Sequence, residues 1–494
     1  MQEWLLPFFL MALVFLYLFK GPMPKALQQQ RKWLVGAWAL KILFSLAFHW
    51  VYSVYYSDKN TGDTWKFFSD AQGLYECSLA QPNGFVSILA GNDDAESPVK
   101  KCFDKANYWY NNEEISLIND TRSILRVNFF LMPFSKGNYL FHLFFFSALA
   151  FFGMCILFAI LQKNYARNPV WINALIAFAI PSIAFWTGGI LKESLMLPLF
   201  ALVLYLIFRK EKTIIHLLLT FLAIILLSAV KFYVGITALL AWLGMIIFQT
   251  IQPLPFRKKI LLLTGSGLMI FLLLHFLVPP KLPVMMAQKQ KAFVNLARGG
   301  DYWTLPSGDT IYVPQPEQAY LSNEKGTFLK EGIKYHSWVQ LNIKDTLQSN
   351  GALALKNCLA KLKASGSAFA IQPIDPSWTG LLKAIPQAFV SALFRPFPNE
   401  LKNPLVLLAF FENFFFLGML FLLIIHFFRN NRTIHSQEIF MLIFCFILLS
   451  LIGMTTPVTG ALVRYRLPVI WIMGLVCAMH WKNLSTLLKR KNKI

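Results

Sequence analysis

Chemistry in this chain would fall to a few charged and aromatic residues set beside long apolar runs. Asp63 and Asp70 stand seven residues apart in Gly62-Asp63-Thr64-Trp65-Lys66-Phe67-Phe68-Ser69-Asp70. In a helix that spacing puts both on one face, two turns apart. A carboxylate there can take a proton from an acceptor hydroxyl, or it can be a solvated loop acid. The basic residues of interest are Lys192, Lys231, Arg395, Arg464 and Arg466, each at the end of an apolar run. Arginine offers a phosphate a bidentate fork and lysine a point charge. Gathered together they would grip a phosphate; scattered, they would touch lipid headgroups. Glu193 suits a helix start, where negative charge is favoured, and Lys192 does not. Glu193 is therefore read as the group that orients Lys192. Trp65, Trp186 and Tyr233 place aromatic rings beside these charges.

Two charges fall deeper in apolar runs. Lys41 and Glu412 lie at similar depth and are expected to pair within the membrane, because a charge there needs a partner or a job. Cys77 and Cys102 share one long polar segment, where an oxidising compartment would allow a disulfide; two free thiols are the alternative. The six cysteines show no CxxC pair and no zinc spacing.

These residues are embedded in a chain of 494 residues that is 56% hydrophobic and 14% charged, against about 25% charged in soluble proteins. That excludes a soluble enzyme, a disordered chain and a fibrous protein. The net charge of +22 is read as membrane topology, not nucleic-acid binding, because the basic residues sit between apolar runs. Runs near 3–19, 33–54, 138–161, 169–188, 190–208, 213–230, 232–250, 260–278, 404–428, 436–454 and 466–481 are long enough to cross a bilayer. The fold class expected is an all-α polytopic membrane protein with about eleven transmembrane helices. Short connectors on one side carry Arg31, Lys32, Lys163, Arg167, Arg209, Arg257, Lys258, Arg429 and the basic tail. Positive loops stay in the cytoplasm, so the N-terminus is placed outside and the C-terminus inside.

The organisation expected is 1–54, transmembrane helices 1 and 2; 55–137, a first periplasmic loop; 138–278, helices 3 to 8; 279–403, a second periplasmic loop; and 404–494, helices 9 to 11 with a basic cytoplasmic tail. Within the second loop, 284–298 and 351–364 are amphipathic at helical spacing. Residues 302–314 read as a hairpin around Ser307-Gly308-Asp309, and 378–394 as a helix lying on the membrane surface.

The Asp63 segment, the Phe185-Trp186-Thr187-Gly188-Gly189 to Lys192-Glu193 stretch, the Lys231-Phe232-Tyr233 junction and Arg464-Tyr465-Arg466-Leu467-Pro468 together resemble the bacterial GT-C superfamily of integral-membrane glycosyltransferases. The resemblance implies a multi-pass protein of the bacterial inner membrane and a polyprenyl-phosphate-linked sugar donor. It implies an exported glycan, lipid or protein as acceptor, and no nucleic acid. Asp63, then Asp70, would be the general base, and Lys192, Lys231, Arg395, Arg464 and Arg466 would hold the phosphate. Some members carry a divalent metal ion; the acids here are too little clustered to require one. The Arg395 segment also resembles O-antigen polymerases and ligases, which would make Arg395 and Arg464 central. A third reading is a non-enzymatic component of an envelope export or assembly machine.

Overall fold

The computed structural model describes residues 2–56, 62–106, 108–109, 119–209, 213–251, 282–314, 319–339, 342–401, 404–429 and 435–482. The expected span at 260–278, and Lys210, Lys212, Arg257, Lys258, Lys259, Arg432 and the tail beyond 482, lie outside the described residues.

Apolar composition drives most of the chain into helices. Among the described residues, five are long and apolar enough to cross a membrane: Arg31–Tyr55, Tyr139–Asn164, Phe232–Ile251, Pro404–Ile425 and Ser436–Thr455. A sixth candidate is a pair, Thr459–Tyr465 and Leu467–Met479, bent by 52°. Trp4–Lys20 and Ile214–Val230 are shorter apolar helices. These features fit a membrane protein. The stretch expected as two spans over 169–208 is broken more finely, into Val170–Phe178, Pro181–Trp186 and Lys192–Ile207. Pro181 starts one piece, where a missing N–H costs nothing, and the Thr187–Leu191 turn separates the last two.

Tyr139–Asn164 and Lys192–Ile207 are the buried centre of the bundle, with Phe144, Phe146, Phe151, Phe158 and Phe200 fully enclosed. The faces of Ile214–Val230 and Pro404–Arg429 instead expose Leu218, Phe221, Phe411, Phe414 and Phe421. Apolar side chains facing outward on an apolar helix suit lipid.

The first long segment folds into helices Asp63–Ser78, Gly84–Ala90, Lys100–Lys105 and Thr121–Ser135. A disulfide joins Cys77 to Cys102, with their Cα atoms 5.7 Å apart. The second departs from an all-helical chain. After helix Leu282–Ala297 come eight strands: β1 (Gly300–Thr304), β2 (Thr310–Pro314), β3 (Tyr320–Asn323), β4 (Gly326–Leu329), β5 (Lys334–Val339), β6 (Asn342–Gln348), β7 (Leu353–Leu355) and β8 (Cys358–Leu362). They make a five-stranded sheet, ordered β6-β5-β2-β1-β8, and a three-stranded one, β3-β4-β7. Trp303, Ile311, Val313, Leu329 and Leu355 pack between them. The expected hairpin forms, with Tyr302 opposite Tyr312. The helix expected over 351–364 does not: β7 pairs with β4 and β8 with β1. Tyr312 Oη donates to Asn295 O at 2.6 Å and ties the sheet to helix Leu282–Ala297. The chain returns through helix Trp378–Phe394, which packs on Ser436–Thr455.

Candidate functional site

Breaks in the helices gather charges at the end of the bundle that carries the two long segments. Each break has a local cause. Gly62 is extended and starts helix Asp63–Ser78 with Asp63 in its first turn, where the helix dipole favours an acid. Leu191 is extended and starts Lys192–Ile207 with Glu193 in its first turn. Lys231 is itself extended (φ −150°) and caps Ile214–Val230; the next helix begins at Phe232. Arg464 lies in the last turn of Thr459–Tyr465.

At these four breaks the side chains meet. Arg464 Nη1 donates to Asp63 Oδ2 at 2.7 Å, and its Nε lies 3.2 Å from Glu193 Oε1. Lys231 Nζ donates to the same Glu193 oxygen. Glu193 is 1% exposed and Lys231 5%, whereas Asp63 keeps 39% of its side-chain exposure. Asp63 is therefore the acid of this network that a substrate can reach. Its Oδ1 takes no hydrogen bond among the described residues. Burial pushes the Asp63 carboxyl up, but the Arg464 guanidinium, with help from Lys66 and Lys192, outweighs it and holds the group below the usual carboxylate range.

Lys192 finds a different acid from the one expected. Its Nζ donates to Asp120 Oδ1 at 2.5 Å and to Thr121 Oγ1 at 2.7 Å. Glu193 does not orient Lys192, because successive residues on a helix point about 100° apart and Glu193 faces Lys231 and Arg464. Asp120 Oδ2 also accepts from the Phe232 backbone N–H at 3.3 Å, so it joins Lys192 to the Lys231 junction. In the sequence Asp120 carries only the signal of a helix cap, and it makes no side-chain capping bond here. Lys289, from helix Leu282–Ala297, feels the same charges: desolvation lowers its pKa, Asp120 opposes that, and Lys192 reinforces it. Counting Lys66 and Lys289, the basic groups near the site outnumber Asp63, Glu193 and Asp120.

Aromatic rings line the network. Lys231 Nζ lies 4.6 Å from the centre of the Tyr465 ring and 5.5 Å from that of Tyr233, and Arg464 lies 5.9 Å from Trp186. The Tyr233 hydroxyl is buried with no hydrogen-bond partner among the described residues, a gap that a bound group would fill. Trp65 is less open than expected. It stacks on Tyr139 at 3.9 Å and donates its Nε1 to Tyr52 O, so one ring face is covered.

Three expected members lie elsewhere. Asp70 is buried and accepts from the Tyr108 backbone N–H at 2.8 Å; two helical turns, about 10 Å, carry it away from Asp63. Arg395 pairs with Glu400 and sits 3.8 Å from the Phe369 ring, at a separate cavity. Arg466 Nη1 donates to Arg395 O at 2.7 Å and holds the end of helix Trp378–Phe394. The expected pair of Lys41 and Glu412 does not form. Lys41 Nζ donates to Ala184 O at 2.8 Å and Thr187 Oγ1 at 2.7 Å. Glu412 accepts from the Ser182 backbone N–H at 2.8 Å. The break around 181–191 leaves helix-end groups uncommitted, and these serve each charge separately. The same turn lies close against helix Arg31–Trp50: a Cβ on Gly189 would come within 2.0 Å of the Phe48 ring. Lys41 thus fastens the turn that presents Lys192 and Glu193.

Asn128, His142 and Ser135 form a serine–histidine–asparagine line, at 2.9 Å and 2.7 Å. All three are buried, so it joins two helices and meets no substrate. Among the described residues no three His, Cys, Asp or Glu side chains come together as metal ligands. No family model, no curated protein and no solved structure matches the chain.

Proposed function

We propose that this chain is a membrane glycosyltransferase of GT-C type. It would move a sugar from a polyprenyl-phosphate donor to an exported acceptor at the periplasmic face of the bacterial inner membrane. The observation that carries the reading is the half-open Asp63, ionised by Arg464 and set beside Lys231 and Lys192. In this reading the donor phosphate lies against Arg464, Lys231 and Lys192, with Lys66 and Lys289 adding positive charge. Asp63 Oδ1 takes the proton of the acceptor hydroxyl as its oxygen bonds to the sugar's anomeric carbon. The bond from that carbon to the phosphate oxygen breaks, and its electron pair leaves on the lipid phosphate, where the cations stabilise the charge. Expected topology and orientation belong to this proposal, since the acid must face the exported acceptor.

Arg395 lines a cavity away from the Asp63–Arg464 network, which favours the transferase over the polymerase or ligase reading. An accessible carboxylate inside a buried ion network favours an enzyme over a purely structural component, because a structural pair gains nothing from exposure. The test is binding of undecaprenyl phosphate to the purified full chain by native mass spectrometry. Arg464→Met and Lys231→Met are expected to weaken binding at least about tenfold, the equivalent of one charge-assisted contact, and Asp63→Asn to retain it. Equal binding by all four proteins would contradict the proposal.

A further inference from the structure

A cavity lies apart from the Asp63 network, between helix Trp378–Phe394, the extended stretch 370–375 and the end of Ser436–Thr455. Its volume is about 430 Å³, within the range of small-ligand sites. One wall is a polar ridge. Thr379, Lys383, Gln387 and Ser391 follow one another every four residues along the helix, and Arg395 continues the row just past its end. Positions four apart share a helix face at steps of about 6 Å. The opposite wall is extended main chain from Ala370 to Asp375. The helix is seated firmly, since a Cβ on Gly453 would come within 2.0 Å of Ala388 O.

The charges here cancel. Arg395 is paired with Glu400; Lys383 and Asp375 face the same cavity with opposite sign. What remains is a row of hydroxyl and amide groups that both donate and accept, with Ser391 Oγ accepting from Arg395 Nε at 2.9 Å and Thr379 Oγ1 3.1 Å from Ser377 Oγ. The amide of Gln387 makes no hydrogen bond among the described residues. Paired donors and acceptors on a neutral wall match hydroxyls, not a phosphate or a quaternary amine.

We propose that this cavity binds a neutral, hydroxyl-rich glycan, with successive sugar rings lying along the Thr379–Ser391 ridge. Gln387 and Thr379 hydrogen-bond its hydroxyls, and Lys383 supplies further donors. Its role as the acceptor subsite rests on the transferase reading. The link is Arg466, which holds the Arg395 carbonyl and stands two residues from Arg464. The cavity and the Asp63 network therefore share one short piece of chain.

The test uses saturation-transfer NMR on the full chain in lauryldimethylamine oxide micelles, with chitobiose and maltose as probes at millimolar concentration. Saturation transfer to at least one disaccharide is expected. Gln387→Leu and Thr379→Val each weaken it about two- to tenfold, as expected for the loss of one neutral hydrogen bond. Both side chains are exposed, so folding survives, and unchanged melting verifies it. No transfer to either sugar, or transfer that ignores both substitutions, overturns the proposal. Binding of glycerol phosphate that Lys383→Met abolishes, with no sugar bound, also overturns it and makes the cavity a lipid-headgroup site. Asp63→Asn is expected to leave disaccharide binding intact. If that variant also leaves cellular glycans unchanged, the transferase reading falls while the glycan site stands.

Discussion

Asp63 balances two opposed influences. Burial alone would raise its pKa, and Arg464 with two lysines lowers it further than burial raises it. A carboxyl whose folded pKa is depressed stays ionised until pH falls through that lowered value. The acid limb of a transfer-rate profile should therefore lie below the ordinary carboxylate pKa of about 3.9, with activity flat from neutral pH down to the unfolding limit. Arg464→Met leaves burial unopposed by its main cation, and the acid limb should move to higher pH. A pH–rate profile of both proteins checks this; an unmoved limb would remove Asp63 from the role of base. The Lys231–Glu193 pair is more deeply buried. Losing one partner of such a pair costs roughly 3–5 kcal/mol, at the lower end here because Glu193 keeps Arg464. Lys231→Met should lower the melting temperature, and the double variant with Glu193→Gln should recover part of the loss. Glu193, Lys231 and Arg464 were legible in the sequence because each stands at the end of an apolar run, and Asp63 because it is an acid in the polar segment just after one. Their pairings were not. Lys192 turned to Asp120, 72 residues away by chain, and no local pattern records that choice. Arg466 and Asp70 read as site residues from type and spacing alone, yet Asp70 serves the Tyr108 backbone and Arg466 the Arg395 carbonyl.

Among the elements, helix breaks do the positioning. Lys41 fastens the Thr187–Leu191 turn from the neighbouring helix, and Gly189 lets that turn approach Phe48. Gly189→Ala should overpack the contact, at a cost of about 1–3 kcal/mol, and Phe48→Leu in the same chain should relieve part of it. Thermal unfolding in detergent measures both. The disulfide between Cys77 and Cys102 closes a 25-residue separation; losing it should cost about 2–4 kcal/mol. A Cys77→Ser, Cys102→Ser variant should melt correspondingly lower, and equal melting would show that the loop is held by packing alone. The Tyr302–Tyr312 hairpin was readable from its Ser-Gly-Asp turn, which Gly308 closes at φ +93°. The segment 351–364 was misread because its apolar spacing also fits a helix. Pairing with β4 and β1 satisfies its backbone instead, and such partners are distant in sequence.

In the whole molecule, apolar helices carry the two long polar segments, and the first of them supplies Asp63 and Asp120 to the site. Composition and basic-residue bias were enough to read a membrane protein with two large polar insertions. Among the described residues five or six helices are long and apolar enough to span, fewer than the apolar runs of the sequence, because 260–278 lies outside the described residues and segments such as 169–208 divide into shorter pieces. The orientation predicts that cysteines placed in Gly84–Ala90 or in β3–β4 react with a membrane-impermeant maleimide from the outer side of intact inner-membrane vesicles, and one placed at Arg167 does not. The opposite labelling would put Asp63 on the wrong side for an exported acceptor. The central claim concerns what Asp63 and its cations act on, and lipid-linked intermediates report that most directly. In cells lacking this chain, a polyprenyl-phosphate sugar should accumulate and one envelope glycan should be lost. Wild-type protein should reverse both changes, while Asp63→Asn, expressed at the same level, should reverse neither. Full restoration by Asp63→Asn, or lipid and glycan profiles that ignore the chain altogether, would contradict the account.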